Sequence, residues 1–315
     1  MRESGCLGLA MMLALSAQGA LAGTAGPYVL TAIHCDPHMA QQSHWNALAQ
    51  LVSDANERRI KLTIEMTAQW ALLVRADPLK IAALQTWADQ GHEIAAHHHQ
   101  LGHAVWDGYS NLPQAASAPG FRGTMSSFVE AFNPPFPFPC SDTLSTPEPA
   151  DWIPCAIHRT GGSFGMFIPI STPVMQTLNA QRVWQIEHAP LRTTAGWNTT
   201  TLIDAYHAAL PGQIVGAAFH PHDYDTPGER TQALAWLDFI AQQDPTGSRL
   251  LAASGIIGIL TQRADVSGDF VVSFADITDI LTNFGSTARW FDVDGSGTVG
   301  FGDIVEVLAT WPQTR

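Results

Sequence analysis

The chain has 315 residues, with 15 Lys+Arg against 28 Asp+Glu, 13 histidines and a formal net charge of −13. Only 14% of residues are charged while 46% are hydrophobic, which excludes a disordered chain, because that much apolar surface can offset the entropy of ordering. Nucleic acid is excluded as a partner: phosphate binding needs clustered basic side chains, and Lys61 and Lys80 are the only lysines.

Residues 1–22 read as a secretory signal, with Arg2 as a positive start, an apolar run and Ala20-Leu21-Ala22 as a small-x-small cleavage site. The run is shorter than the roughly 20 apolar residues that span a bilayer, and no other segment is long enough for a transmembrane helix. The expected location is therefore secreted, periplasmic or cell-surface. In that oxidising setting Cys140 and Cys155 are the natural disulfide pair, closing a Pro-rich loop and restricting the unfolded chain by ~3 kcal/mol. Cys35 is left over.

From residue 23 to 262 the pattern is alternating strands and helices. Tyr28–Cys35 is an apolar run ending in polar residues, as a buried parallel strand does. Trp45, Leu48, Leu51 and Val52 recur at helical spacing within 41–57, and 60–67 is a β-branched strand. Pro78 opens a helix carrying Ile81, Leu84 and Trp87, which Gly91 closes. Residues 92–99 form a third strand, and 214–219 a late one that ends in His220-Pro221-His222-Asp223. Repeated β–α units predict a parallel sheet with covering helices, either a barrel or an open form. The stretch 105–165, rich in Pro and aromatics, reads as a lid or rim.

Five histidines lie between His92 and His103. A zinc-protease helix needs His-Glu-x-x-His, and Ala96 stands where its second histidine belongs. In a strand, by contrast, His97 and His99 share a face and His98 points away, as a packing or surface residue. His103 lies four residues past His99, where the chain leaves the sheet toward the ligand crevice of parallel α/β folds.

The run from Arg59 to His103, ending QGHEIAAHHHQLGH, resembles the polysaccharide deacetylases of the carbohydrate esterase family 4 type. The resemblance implies a distorted parallel (β/α) barrel and a divalent metal, zinc or another transition ion, held by Asp36 and two of His97, His99 and His103. It implies hydrolysis of an amide or ester, most simply an acetyl group on a carbohydrate. Where the family carries its base, one residue before the metal-binding Asp, this chain has Cys35; Glu65 on the second strand is the alternative carboxylate. Gly120-Phe121-Arg122-Gly123 is similar to the family's Phe-Arg-Pro motif, so Arg122 is expected to orient the base. His220 is expected to protonate the leaving group, with His222 as runner-up. Other readings are a hydrolase of small non-carbohydrate amides and a base-deficient metal- or glycan-binding protein.

Residues 263–315 form a separate unit. The segment from Asp265 to Leu281 recurs from Asp292 to Leu308, offset by 27 residues with eight identities. Each copy begins with a calcium-loop pattern, oxygen ligands at positions 1, 3, 5, 7, 9 and 12. In the second copy these are Asp292, Asp294, Ser296, the Thr298 carbonyl, Gly300 through water, and Asp303. The first offers Asp265, Ser267, Asp269, the Val271 carbonyl, Ser273 and Asp276, but has Phe270 where Gly297 turns the second loop, so its site is expected to be weaker. Two loop–helix units closed by Asp look like a small all-α dockerin module, which implies Ca2+ and a cohesin-like partner. Residues 264–315 hold six of the thirteen net negative charges, and the acid there reads as ligand.

Overall fold

The computed structural model describes residues 26–132, 142–146, 149–153, 156–161, 168–269 and 271–311. The expected signal at 1–22, Cys140, Cys155 and Phe270 lie outside the described residues. Among the described residues ten strands form one sheet: β1 (Tyr28–Cys35), β2 (Leu62–Met66), β3 (Glu93–His97), β4 (Thr143–Ser145), β5 (His158–Thr160), β6 (Ile170–Ser171), β7 (Val174–Leu178), β8 (Gln181–Ile186), β9 (Ala189–Pro190) and β10 (Ile214–Phe219). The order is β6-β10-β1-β2-β3-β4-β5-β8-β7, with β9 paired to β10. All pairings are parallel except β10 with β6 and β7 with β8. The result is a curled half-barrel of mostly parallel strands. The stretch 105–165, read from sequence as lid or rim, contributes β4 and β5 to this wall; at three residues each they are too short to show a periodicity.

The helices are α1 (Gln42–Glu57), α2 (Ala68–Arg75), α3 (Pro78–Asp89), α4 (Met125–Phe132), α5 (Thr199–Ala208), α6 (Pro221–Tyr224), α7 (Pro227–Gln243), α8 (Ala253–Thr261), α9 (Phe274–Thr282) and α10 (Phe301–Thr310). One apolar core lies between the outer face of the sheet and these covering helices. Val29, Ile33, Leu62, Ile64, Ala96 and Val215 supply its sheet side, while Leu48, Trp70, Leu84 and Trp236 supply its helical side. Each fully buried aliphatic side chain there contributes on the order of 1.5–3 kcal/mol. Pro at the start of α3 and the left-handed φ of +89° at Gly91 after its end bound that helix as its sequence implies.

The inner face of the sheet has two ends of opposite character. At the N-terminal ends of the strands α8 covers an apolar cluster of Leu30, Trp184, Ile186, Ile214, Ala253 and Ile256. The Ala253 amide donates to Thr63 Oγ1 (2.8 Å) and the Ser254 amide to Glu93 Oε2 (3.1 Å), fastening α8 to β2 and β3. At the C-terminal ends the same face is lined with histidines and carboxylates. Parallel register explains this, because paired residues point to one side: His34 pairs with Glu65 and His97 with Ser145. Ser145 in turn pairs with Thr160.

The C-terminal repeat has a core of its own, Ala264, Val266, Val272, Ile277, Ile280, Val293, Val299 and Val307, with Trp290 packed against both this cluster and the one under α8. Arg182 on β8 joins the first loop to the sheet, donating to the Val266 carbonyl and to Asp279 Oδ2, each at 2.7 Å.

Candidate metal centre

A cavity of about 730 Å³ opens at the C-terminal ends of the strands, lined among others by His34, Asp36, His97, His99, His188 and His220. Asp36 follows β1 directly, His97 ends β3, and His99 lies two residues beyond. His97 Nε2 is 2.8 Å from His99 Nε2, His99 Nε2 is 3.4 Å from Asp36 Oδ1, and His97 Nε2 is 3.8 Å from the same oxygen. Ligand atoms about 2.0–2.1 Å from a tetrahedral zinc lie roughly 3.3 Å from one another, so the three atoms fit around one ion. Asp36 Oδ1 is buried without a hydrogen-bond partner, which a cation would correct.

The surrounding groups hold the three in a ligating state. His99 Nδ1 lies 3.0 Å from the Val105 carbonyl; a carbonyl only accepts, so Nδ1 carries the proton and Nε2 keeps its lone pair. Burial keeps the His97 imidazole neutral, well below its usual pKa, and the neighbouring His34 and His99 act in the same direction. Burial alone would raise the Asp36 carboxyl, yet the facing imidazoles of His99 and His220 hold it well below the usual range.

His220 reaches the cavity from the residue after β10. Its Nδ1 is 2.9 Å from Asp223 Oδ2 and its Nε2 is 3.9 Å from Asp36 Oδ1. Asp223 is itself clamped by Arg192, through Nε at 3.0 Å and Nη2 at 2.9 Å. His222 stands one step back, its Nε2 2.8 Å from Arg192 Nη2, and burial lowers its pKa to about 4.

Other expected residues fall elsewhere. His103 is exposed, its ring 4.3 Å from that of His99; it borders the cavity without joining the Asp36–His97–His99 group. Cys35 corrects the expected base: in β1 it alternates with His34, so its thiol faces the helix-covered core and not the cavity. Burial pushes that thiol well above its ordinary pKa, which removes it from proton abstraction. Arg122 is exposed and lines an adjoining groove with Trp106 and Gly120, outside the cavity lining; Arg192 is the arginine that lines the cavity. Glu65 is wholly buried, accepting a short hydrogen bond from Thr160 Oγ1 and lying 3.1 Å from His34 Nε2 and 3.9 Å from His97 Nδ1. Burial raises it to about 7, against the opposing effects of His188, Thr160 and Ser145.

His98 is neither surface nor simple packing. Its Nδ1 is 2.7 Å from Asp107 Oδ2 and its Nε2 is 3.1 Å from Asp151 Oδ2. Two carboxylates facing both ring nitrogens require two protons there. Burial works against the charge, but the two hydrogen bonds dominate and lift the pKa to about 9. Asp107 Oδ2 also accepts from the His99 amide (3.0 Å), so this buried ion ties the loop after β3 in place.

His34, His188, Arg192 and Asp223 were not singled out by sequence. The His34 position carried a usable signal, since period-2 alternation puts it on the face opposite Cys35. His188 arrives because Gly216 has no side chain: a Cβ there would lie 2.3 Å from the Glu187 carbonyl oxygen and 2.8 Å from His188 Cα.

The second candidate centre is local. Asp292, Asp294 and Asp303 bring carboxylate oxygens within 4.8 Å of one another. Asp303 accepts from the Asp294 amide (3.0 Å) and the Gly300 amide (2.6 Å). Asp276 does the same with the amides of Ser267 (2.8 Å) and Ser273 (2.7 Å). In the first loop Asp265 Oδ1 takes the Gly268 and Asp269 amides, and Asp269 Oδ1 the Val271 amide. In the second loop Ser296 Oγ donates to the Thr298 carbonyl at 3.1 Å.

No protein-family model matches the chain, and no curated protein or solved structure matches it either. The functional reading therefore rests on the sequence and on the geometry above.

Proposed function

We propose that the chain is a secreted, metal-dependent hydrolase of amide or ester bonds that removes acetyl groups from a carbohydrate. In this reading the half-barrel belongs to a distorted (β/α) barrel of the polysaccharide deacetylase type. Residues 263–315 are a dockerin-like calcium module that anchors it to a cohesin-like partner. The observation that carries the catalytic half is the convergence of Asp36 Oδ1, His97 Nε2 and His99 Nε2 around an unpartnered buried oxygen at the strand ends. For the module, the support is the repeated loop geometry and the exposed apolar side chains Phe274, Leu281, Phe301, Val305 and Leu308 on α9 and α10.

A divalent ion such as zinc on Asp36, His97 and His99 would polarise the substrate carbonyl and make bound water more acidic. The chain supplies the rest. His220, its Nδ1 proton held by Asp223 and its Nε2 directed at the Asp36 side of the cavity, delivers a proton to the departing nitrogen or oxygen. Arg192 keeps Asp223 in place for that task. Glu65, wholly buried, is not among the residues lining the cavity and takes no part in this step.

Hydrolysis of acetylated oligosaccharides by the wild type, with zinc content measured in parallel, tests the reading. Asp36→Ala and His99→Ala should each lose about 100-fold or more in metal affinity and in hydrolysis, and His103→Ala should retain the metal. Full activity in Asp36→Ala would overturn the assignment. Asp36 is the only carboxylate lining the cavity among the described residues, which favours one second reading, a metal- and glycan-binding protein without a base. Binding of acetylated oligosaccharide with no product release would select it.

A further inference from the structure

Beneath the first group lies a second one, which that reading leaves without a task. His34, Glu65 and His97 also bring ligand atoms within 4.8 Å of one another. His34 Nε2 lies 3.1 Å from Glu65 Oε2, and His97 Nδ1, the ring nitrogen that does not face Asp36, lies 3.9 Å from that same oxygen. Yet Glu65 Oε2 and His97 Nδ1 are both buried with no hydrogen-bond partner. Two buried polar atoms left 3.9 Å apart, too far to hydrogen-bond to each other, cost several kcal/mol in an interior unless something sits between them.

We propose that the cavity floor binds a second divalent transition-metal ion on His34, Glu65 and His97, with the His97 ring bridging it to the first as imidazolate, its remaining N–H proton being released to solvent as the second ion binds. The inference rests on Asp36, His97 and His99 being the first ion's ligands. Geometry supports the set: the separations bracket the roughly 3.3 Å expected between ligands of a tetrahedral ion. Access supports it too, since His34 and His97 both line the cavity. The surroundings fix the donors from behind. Glu65 Oε1 is held by Thr160 Oγ1, leaving Oε2 free to ligate. The His188 ring packs edge-on against His34, centroids 4.7 Å apart, with its Nε2 3.1 Å from His34 Nε2.

The test uses the full chain, freed of transition metal, kept in excess calcium so that the C-terminal loops stay filled, and reconstituted with cobalt(II). Two cobalt ions per wild-type chain are expected, falling to one in His34→Ala and in Glu65→Gln. Glu65 is fully buried, so a melting curve accompanies that variant; His34 borders the cavity and provides the independent substitution. One ion in the wild type, or two in both variants, overturns the second site and leaves the first standing. No cobalt in the wild type overturns both.

Discussion

The C-terminal loops bring their carboxylates together within single twelve-residue segments, whereas the cavity groups draw their side chains from β1, β2 and β3 and the residues just beyond them. In the loops, both oxygens of Asp276 and Asp303 already accept backbone amides, so the coil is preshaped by its own chain. In the cavity, Asp36 Oδ1, Glu65 Oε2 and His97 Nδ1 are buried and unpartnered, so the site depends on the fold to force the donors together. A local site fails when its own residues change. A site assembled across a sheet fails when its supports do, and the supports are where the two regions can be told apart.

The largest effect is expected at His98, which binds no metal in either reading. His98→Ala would leave Asp107 and Asp151 facing each other in the interior, where breaking a buried ion pair costs about 3–5 kcal/mol. A thermal melt should show that loss together with weakened metal binding at His99, whose amide shares Asp107. A melting temperature unchanged from wild type would mean the clamp is not holding the cavity. Chelating calcium comes next and should act on the other region alone. An ion present at 100 times its Kd contributes about 2.7 kcal/mol, and its removal should loosen α9 and α10 while zinc stays bound. Calorimetry on Asp303→Ala and Asp276→Ala sharpens this, with the larger loss expected from Asp303→Ala, since its loop is the one with three converging carboxylates. Gly216→Ala should cost about 1–3 kcal/mol by overpacking, and should disturb His188 while leaving the calcium loops untouched. Retained chemical shifts at His188 would show that the close approach at Gly216 is not needed.

Legibility from sequence followed the same division. The repeated acidic loops could be read residue by residue, because their spacing is a property of one short segment. The strand at 28–35 and the helix opened by Pro78 were also legible, through apolar runs and breakers. Between β3 and β8 the reading failed: β4 and β5 are too short to carry a period, so a piece of the sheet looked like a loop. At the cavity, motif offset pointed to Cys35, while the pleat of β1 turns that residue into the core and presents His34 instead. The same limit explains Arg122 and Arg192. A short motif singled out the first, but only the tertiary approach of the segment after β9 brings the second onto Asp223.

The smallest effect separates the histidines of the cavity from one that serves the fold alone. His92, at the start of the strand that leads to His97, accepts the Leu62 amide on Nδ1 (3.0 Å) and lies 3.0 Å from Asn56 Oδ1 through Nε2. Burial, with a lesser contribution from Lys61, lowers its pKa from 6.5 to about 4. A proton on Nδ1 would point at the Leu62 N–H, so the folded state resists protonation that the unfolded state accepts. Stability from this group is complete above pH 6.5 and is lost as the pH falls toward 4, amounting to about 1.4 kcal/mol by pH 5.5. His92→Gln removes the titration, so its stability should fall less steeply than that of the wild type over that window, in denaturant melts of zinc-loaded protein. Parallel slopes for the two proteins would assign the acid loss to the cavity histidines and none of it to His92.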